Sequence, residues 1–404
     1  MLSSAILGAL IAPLLVNAAP VRRQAANSTD VLVLQFADVL EQFESQFYSQ
    51  ALTTFVEQDF IEAGFIDANI PIQQFTQIQS DESTHDSIIQ EELQALGAEA
   101  ITGCTFDFSE VLTDVTTMAS TARIVENVGV SAYLGAAHVI SDPQLLTAAA
   151  SIMTVEARHQ TVLNILTGGS AISQAFDIAF SPEQVLAIAG QFISGCTLPF
   201  TANPSLSVTN TGPMQPGDTI AFSSSALNGS TDGLFCQMLI GGAPTSISLA
   251  LDQCVIPSGI DGPVALYITS DDDPIDNNIV VQNTITIVAG PTLIFVDTVV
   301  EELSELVFTS NSTVSASTTE STISPAEASA IISSASPVAT SSSSSSYSSD
   351  SSDSSDSVSL DGSDNSDSSS TNVVVSTSVV EFPGGPNMYT GSSDDGSVTV
   401  NGWS

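Results

Sequence analysis

Lysine is absent from this 404-residue chain, and its four basic residues face 45 acidic ones, for a formal net charge of −41. Almost nothing is available to neutralise phosphate, which argues against nucleic acid and anionic membrane surfaces as partners. The sequence also lacks a Gly-x-Ser-x-Gly elbow and a His-Glu-x-x-His run, so hydrolase chemistry has no motif to rest on. Its four cysteines show neither CxxC nor zinc-site spacing. Beyond Leu2–Ala19 no apolar run is long enough to cross a bilayer.

That first apolar stretch ends in small residues and reads as a secretory signal, with cleavage after Ala18 or Ala19. Val21-Arg22-Arg23 follows as a dibasic processing site, giving Gln24 as the expected mature start and leaving only Arg123 and Arg158 as basic residues. The protein is therefore expected outside the cell, released or wall-associated. An even cysteine count in that setting implies two disulfides. The hexapeptides Gly103-Cys104-Thr105-Phe106-Asp107-Phe108 and Gly195-Cys196-Thr197-Leu198-Pro199-Phe200 resemble each other, which pairs Cys104 with Cys196 and leaves Cys236 for Cys254. Asn27-Ser28-Thr29 is a glycosylation acceptor.

What the chain does contain is a repeated turn, Glu82-Ser83-Thr84-His85 and Glu156-Ala157-Arg158-His159. Residues three apart share a helix face, so each turn aims a carboxylate and an imidazole at one point, as a metal ligand pair does. Two more glutamates, Glu41 and Glu126, each have a tyrosine seven residues on, Tyr48 and Tyr133, two helical turns along the same face. Glu44 rivals Glu41, being one turn from both Glu41 and Tyr48. Four Glu and two His on four helices form the ligand set of a carboxylate-bridged dimetal centre in a helical bundle. His138 has no partner at ligand spacing and reads as structural.

Apolar spacing predicts helices over about 31–56, 73–96, 109–139 and 143–166, a shorter one from Ser181-Pro182 to about residue 193, and a loop from Gln58 to Pro71. The order of Glu-Tyr helix, Glu-x-x-His helix and Gly-Cys-Thr is then repeated, so a helical hairpin is duplicated. After Asn203-Pro204 short alternating runs, the last at 280–288, predict an antiparallel β-sandwich of the immunoglobulin-like kind. Its Asp271-Asp272-Asp273-Pro274 loop reads as a solvated turn rather than a calcium site. The expected organisation is a signal and pro-segment over 1–23, a helical bundle over 24–200, a sandwich over 201–298 and a disordered Ser/Thr/Asp-rich tail over 299–404.

Four buried carboxylates need compensation, and two arginines cannot supply four salt bridges. Two divalent ions would balance them, and mixed oxygen and imidazole ligation suits iron or manganese. Residues 31 to about 200 resemble the ferritin-like superfamily, and among it the secreted fungal ferritin-like domain proteins, some described as stress-response proteins. The resemblance rests on Leu40-Glu41 with Phe47-Tyr48, Glu82-x-x-His85, Glu126 through Tyr133, and Glu156-Ala157-Arg158-His159. It implies an all-α ferritin-like four-helix bundle with Glu41 and Glu126 as terminal or bridging carboxylates. Glu82 with His85 and Glu156 with His159 would supply the remaining ligands. Tyr48 and Tyr133 are the candidate catalytic residues, as donors that orient those ligands. The implied partners are metal ions or a small-molecule oxidant; the alternative is a structural or adhesive surface protein without catalysis.

Overall fold

Helix ends are set by short polar side chains. In the computed structural model, which describes residues 27–309 apart from 228, 230 and 300, Asn27 caps the first helix by accepting from the Thr29 amide at 3.2 Å. Asp114 and Asp142 cap two others through the amides of Thr117 and Gln144, and Pro143 follows Asp142 at the first helical position. Gly97, in the left-handed conformation, ends another. The helices are α1 (Ser28–Thr54), α2 (Glu57–Glu62), α3 (Asn69–Leu96), α4 (Val115–Ala136), α5 (Pro143–Leu166) and α6 (Pro182–Ala189). The signal segment over 1–23 and the tail beyond residue 309 lie outside the described residues.

Three local expectations are corrected. The loop expected from residue 58 holds the single-turn helix α2, whose Asp59 carboxylate accepts from the Val56 amide at 2.8 Å. Helix α3 begins at Asn69 rather than residue 73, because Pro71 sits in its first turn, where no amide hydrogen is needed. Helix α4 begins at Val115 rather than residue 109, where Asp114 supplies the cap.

Helix α1 lies along α3, and α4 along α5, so the repeated unit is a helical hairpin in each half. The two Gly-Cys-Thr segments join these halves: β1 (Thr105–Phe106) pairs antiparallel with β2 (Ile193–Ser194), next to the Cys104–Cys196 disulfide. Phe43, Phe47, Tyr48, Phe75, Met118 and Leu163 fill the space between the hairpins. Both expected disulfides are present, the second between Cys236 and Cys254.

The following region is all-β. Strands β5 (Phe235–Ile240), β6 (Ile247–Ala250), β7 (Gly262–Thr269) and β8 (Ile287–Val296) form an antiparallel sheet in the order β6-β5-β7-β8, and β3 (Ser207–Val208) pairs with β4 (Phe222–Ser223). The last strand was expected over 280–288, but β8 spans Ile287–Val296 and residues 280–286 lie outside it. Gly290-Pro291 lies within this edge strand, where a missing amide hydrogen is tolerated. The Asp271–Asp273 loop is tied to the sheet by Gln237, whose amide donates to the Asp273 carbonyl.

Helical and β regions share an apolar layer built from Phe180, Val185, Leu186, Leu239, Tyr267 and Leu293. Gly135 permits the close approach there: a side chain would place its Cβ 1.9 Å from the Phe180 carbonyl oxygen. Arg123 forms the polar joint. Its guanidinium meets both oxygens of Asp297 at 2.8 Å, donates to Asn164 and stacks on Phe295. Residues expected to begin the tail remain packed, with α7 (Glu302–Glu305) followed by Phe308 stacked on Phe65. Removing the guanidinium leaves Asp297 facing a buried hole, so Arg123→Ala is expected to cost about 3 kcal/mol. A shift in denaturation midpoint at unchanged slope checks this.

Candidate metal centre

Six side chains from α1, α3, α4 and α5 converge in the middle of the helical region. Glu41, Glu82, Glu126 and Glu156 are each at most 1 % exposed, and His159 is buried. Among the described residues, histidine and acidic side chains converge in two groups able to hold a metal ion. One comprises Glu41, Glu82, His85 and Glu156; the other comprises Glu82, Glu126, Glu156 and His159. Glu82 and Glu156 belong to both groups and would be the shared carboxylates of a pair of ions, while Glu41 and Glu126 each belong to one group.

The distances show how the imidazoles sit among the carboxylates. His85 Nδ1 lies 3.2 Å from Glu41 Oε2, 3.4 Å from Glu82 Oε2 and 3.3 Å from Glu156 Oε1. His159 Nδ1 lies 3.0 Å from Glu82 Oε1 and 3.2 Å from Glu126 Oε2. Glu82 therefore offers one oxygen to each imidazole. A single N–H on His85 cannot satisfy three carboxylates at once. Accordingly Glu41 Oε2, Glu82 Oε1 and both oxygens of Glu156 are buried without a properly formed hydrogen bond. Such groups are costly to bury, and a cation between them removes the cost. The residues fit a pair of metal ions on this ground.

Tyr48 and Tyr133 brace the outer carboxylates crosswise. The Tyr48 hydroxyl, from α1, donates to Glu126 Oε1 on α4 at 2.5 Å, and the Tyr133 hydroxyl, from α4, donates to Glu41 Oε1 on α1. Burial, then the negative Glu126 and Glu41, push both phenols well above the usual tyrosine range, so they remain donors. Each leaves the other oxygen of its carboxylate facing a histidine.

Electrostatics without metal follow from burial against mutual pairing. Burial disfavours the imidazolium of His85, but Glu156, Glu41 and Glu82 overcome it and hold the group at about 12. His159 stands at about 11, burial again being outweighed, here by Glu126 and Glu82. Glu82 lies against both histidines, which overcome its burial and hold it down at about 2. Glu41 is pushed up to about 8, chiefly by burial. Glu126 and Glu156 are also raised by burial and by the charge of Glu82.

Of the two candidates on α1, Glu41 belongs to the ligand groups and Glu44 does not. Glu44 is nonetheless buried, its carboxyl held well above the usual range by burial and by neighbouring Glu156. His138 lies outside the cluster, its Nδ1 2.8 Å from the Gly135 carbonyl.

Asp81 is the residue that spacing could not reveal. It sits on α3, yet its carboxylate lies 3.2 Å from Nε2 of His159 on α5. Once the Nδ1 hydrogen is displaced by a metal, accepting the Nε2 hydrogen there would keep the Nδ1 lone pair turned towards the centre. Asp81→Asn is expected to weaken metal binding about 10- to 100-fold, measured by competition with a chelator.

Two openings reach the centre from opposite sides. A polar one of about 380 Å³, between α3 and α5, exposes His85 and His159 beside Asp81 and Arg158. The other, of about 330 Å³, is mainly apolar and reaches Glu41 and Glu44 between α1 and α4. Residues 29–169 match the family model described as a ferritin-like domain, which supports membership of this region in the ferritin-like superfamily. No curated protein matches the chain.

Proposed function

With residues 29–169 matching a ferritin-like domain, we propose that the protein is a secreted metal-binding protein whose helical region holds a carboxylate-bridged diiron or dimanganese centre. We read it as an oxidoreductase acting on iron, peroxide or oxygen in a stress response, with Tyr48 and Tyr133 holding the outer ligands in place. The supporting observation is that two ligand groups share Glu82 and Glu156 while four of the buried carboxylate oxygens lack hydrogen bonds.

In the metal-free state, protons on the histidines and on the raised glutamates offset the charge. Metal uptake would displace them, and a bound pair of iron or manganese ions would supply electron transfer towards oxygen or peroxide. Glu41, Glu126, Glu82, His85, Glu156 and His159 would hold the ions, and the tyrosines and Asp81 would fix ligand orientation. The polar opening beside the histidines suits entry of hydrated ions and peroxide. Two disulfides, and the absence among described residues of a helix long and apolar enough to cross a membrane, are compatible with secretion. The β region, read as immunoglobulin-like, covers one side of the bundle.

Reconstitution with ferrous iron or manganese followed by elemental analysis tests this reading. It predicts about two ions per chain, with ferrous oxidation or peroxide turnover by the loaded protein. Metal at trace level after reconstitution would refute it.

A further inference from the structure

The apolar opening has a shape and lining that metal binding alone does not require. Its wall follows α1 from Thr29 to Glu44, roughly 22 Å of helix at 1.5 Å per residue. Leu32, Val33, Phe36 and Leu40 line that side, with Ala132, Ala136 and Tyr133 of α4 opposite. Phe180, Val185 and Phe200 add to the apolar lining. A volume of about 330 Å³ along that length describes a narrow slot. An α-helix, about 10–12 Å across with its side chains, could not enter it.

The inner end of the slot meets the metal centre. Glu41 and Glu44 lie there with Gly129 of α4. Gly129 is a helix-interior glycine without a turn to make, at a cost of about 1 kcal/mol relative to alanine. A Cβ at this position would stand 2.8 Å from Glu156 Oε2 and 3.0 Å from Glu44 Oε1. The missing side chain therefore keeps space between the slot and the carboxylates. His138, exposed and just beyond the end of α4, lines the opposite end with Thr29.

We infer that this slot is the binding site of a neutral, extended aliphatic molecule, lying along α1 with one end towards Glu44 and Gly129. The apolar walls favour a hydrocarbon chain, and their run along α1 favours an extended one. Glu41 and Glu44 at the inner end, in a chain of net charge −41, disfavour a carboxylate. The inference extends the dimetal reading by assigning a substrate class to the side of the centre away from the polar opening. It thus rests on that reading for its chemistry but not for binding.

Calorimetric titration of the metal-free full chain with octan-1-ol, and separately with octanoate, tests it. The alcohol should saturate one site with a negative heat-capacity change, and octanoate should bind at least about tenfold more weakly. Ala132→Phe on α4 and Ala37→Phe on α1, both positions that line the slot, should each weaken alcohol binding by about tenfold while metal stoichiometry stays as in the wild type. Absence of saturable alcohol binding, equal binding of octanoate, or unchanged affinity in both folded variants would overturn the inference. If neither variant folds, the comparison of alcohol with carboxylate on the wild type decides alone. Loss of metal with retained alcohol binding would count against the dimetal reading and not against the slot.

Discussion

Glu156→Ala is expected to abolish metal uptake at both positions, whereas Glu126→Ala should leave about one ion per chain. The difference follows from sharing. Glu156 belongs to both ligand groups and Glu126 to one. The same logic pairs Glu82→Ala with the first outcome and Glu41→Ala with the second. Removing Glu156 and His159 together should leave only trace metal.

Stability separates this from simple misfolding. Glu156 is buried, its two oxygens accept no hydrogen bond, and burial holds its carboxyl well above the ordinary range. Deleting it removes that burden and one of the three carboxylates facing His85, while Glu41 and Glu82 remain to hold the imidazolium. Metal-free Glu156→Ala is therefore expected to melt at or above the wild-type temperature near pH 8, while elemental analysis finds no metal. A variant that lost both metal and helical structure would show instead that Glu156 is needed for folding.

The second large effect is a dependence of stability on pH that metal reverses. In the metal-free protein Glu41 titrates at about 8 when folded against 4.5 as its ordinary value, and His85 and His159 at about 12 and 11 against 6.5. For each of these groups the folded state binds more protons than the unfolded state between the two values, so stability falls as pH rises through that window. Glu82 acts in the other direction, held at about 2 against 4.5, so its contribution is lost as pH falls towards 2. The metal-free protein should therefore be most stable near pH 4.5 and weaken steadily towards pH 8. Metal competes with these protons, and binding strengthens as pH rises. The gap in melting temperature between loaded and metal-free protein should widen from pH 5 to pH 8. A constant gap would mean that the ions are not bound by these groups.

All six residues of the two converging groups were legible in the sequence because helical spacing is local and the hairpin occurs twice. Glu82 with His85 and Glu156 with His159 are three residues apart, and a helix places such pairs on one face whatever surrounds it. Duplication supplied the check, since each half repeats the Glu-Tyr pair, the Glu-x-x-His turn and the Gly-Cys-Thr segment. The choice between Glu41 and Glu44 was harder, because both face the interior and only helix rotation separates them. Asp81 could not be found in this way: it reaches His159 from another helix, across 78 residues of chain. Strand β8 was misplaced because its position is set by pairing with β7 across the sheet, while the packing of Phe308 on Phe65 depends on a partner 243 positions away in a segment of tail-like composition.

The crosswise tyrosines show how local pattern and tertiary packing combine. Spacing put Tyr48 on the face of Glu41, yet its hydroxyl serves Glu126, and Tyr133 serves Glu41 in return. Each tyrosine thus couples α1 to α4, and Tyr133 does so beside the apolar slot between them. Ligand positioning and access to the centre consequently depend on the same pair of helices.

The central claim is tested most directly by anomalous diffraction from crystals of the protein reconstituted with ferrous iron or manganese, measured on either side of the metal edge. Two peaks are predicted, one among Glu41, Glu82, His85 and Glu156, and one among Glu82, Glu126, Glu156 and His159. No peak within these groups, or ions held only on the outer surface, would contradict the account.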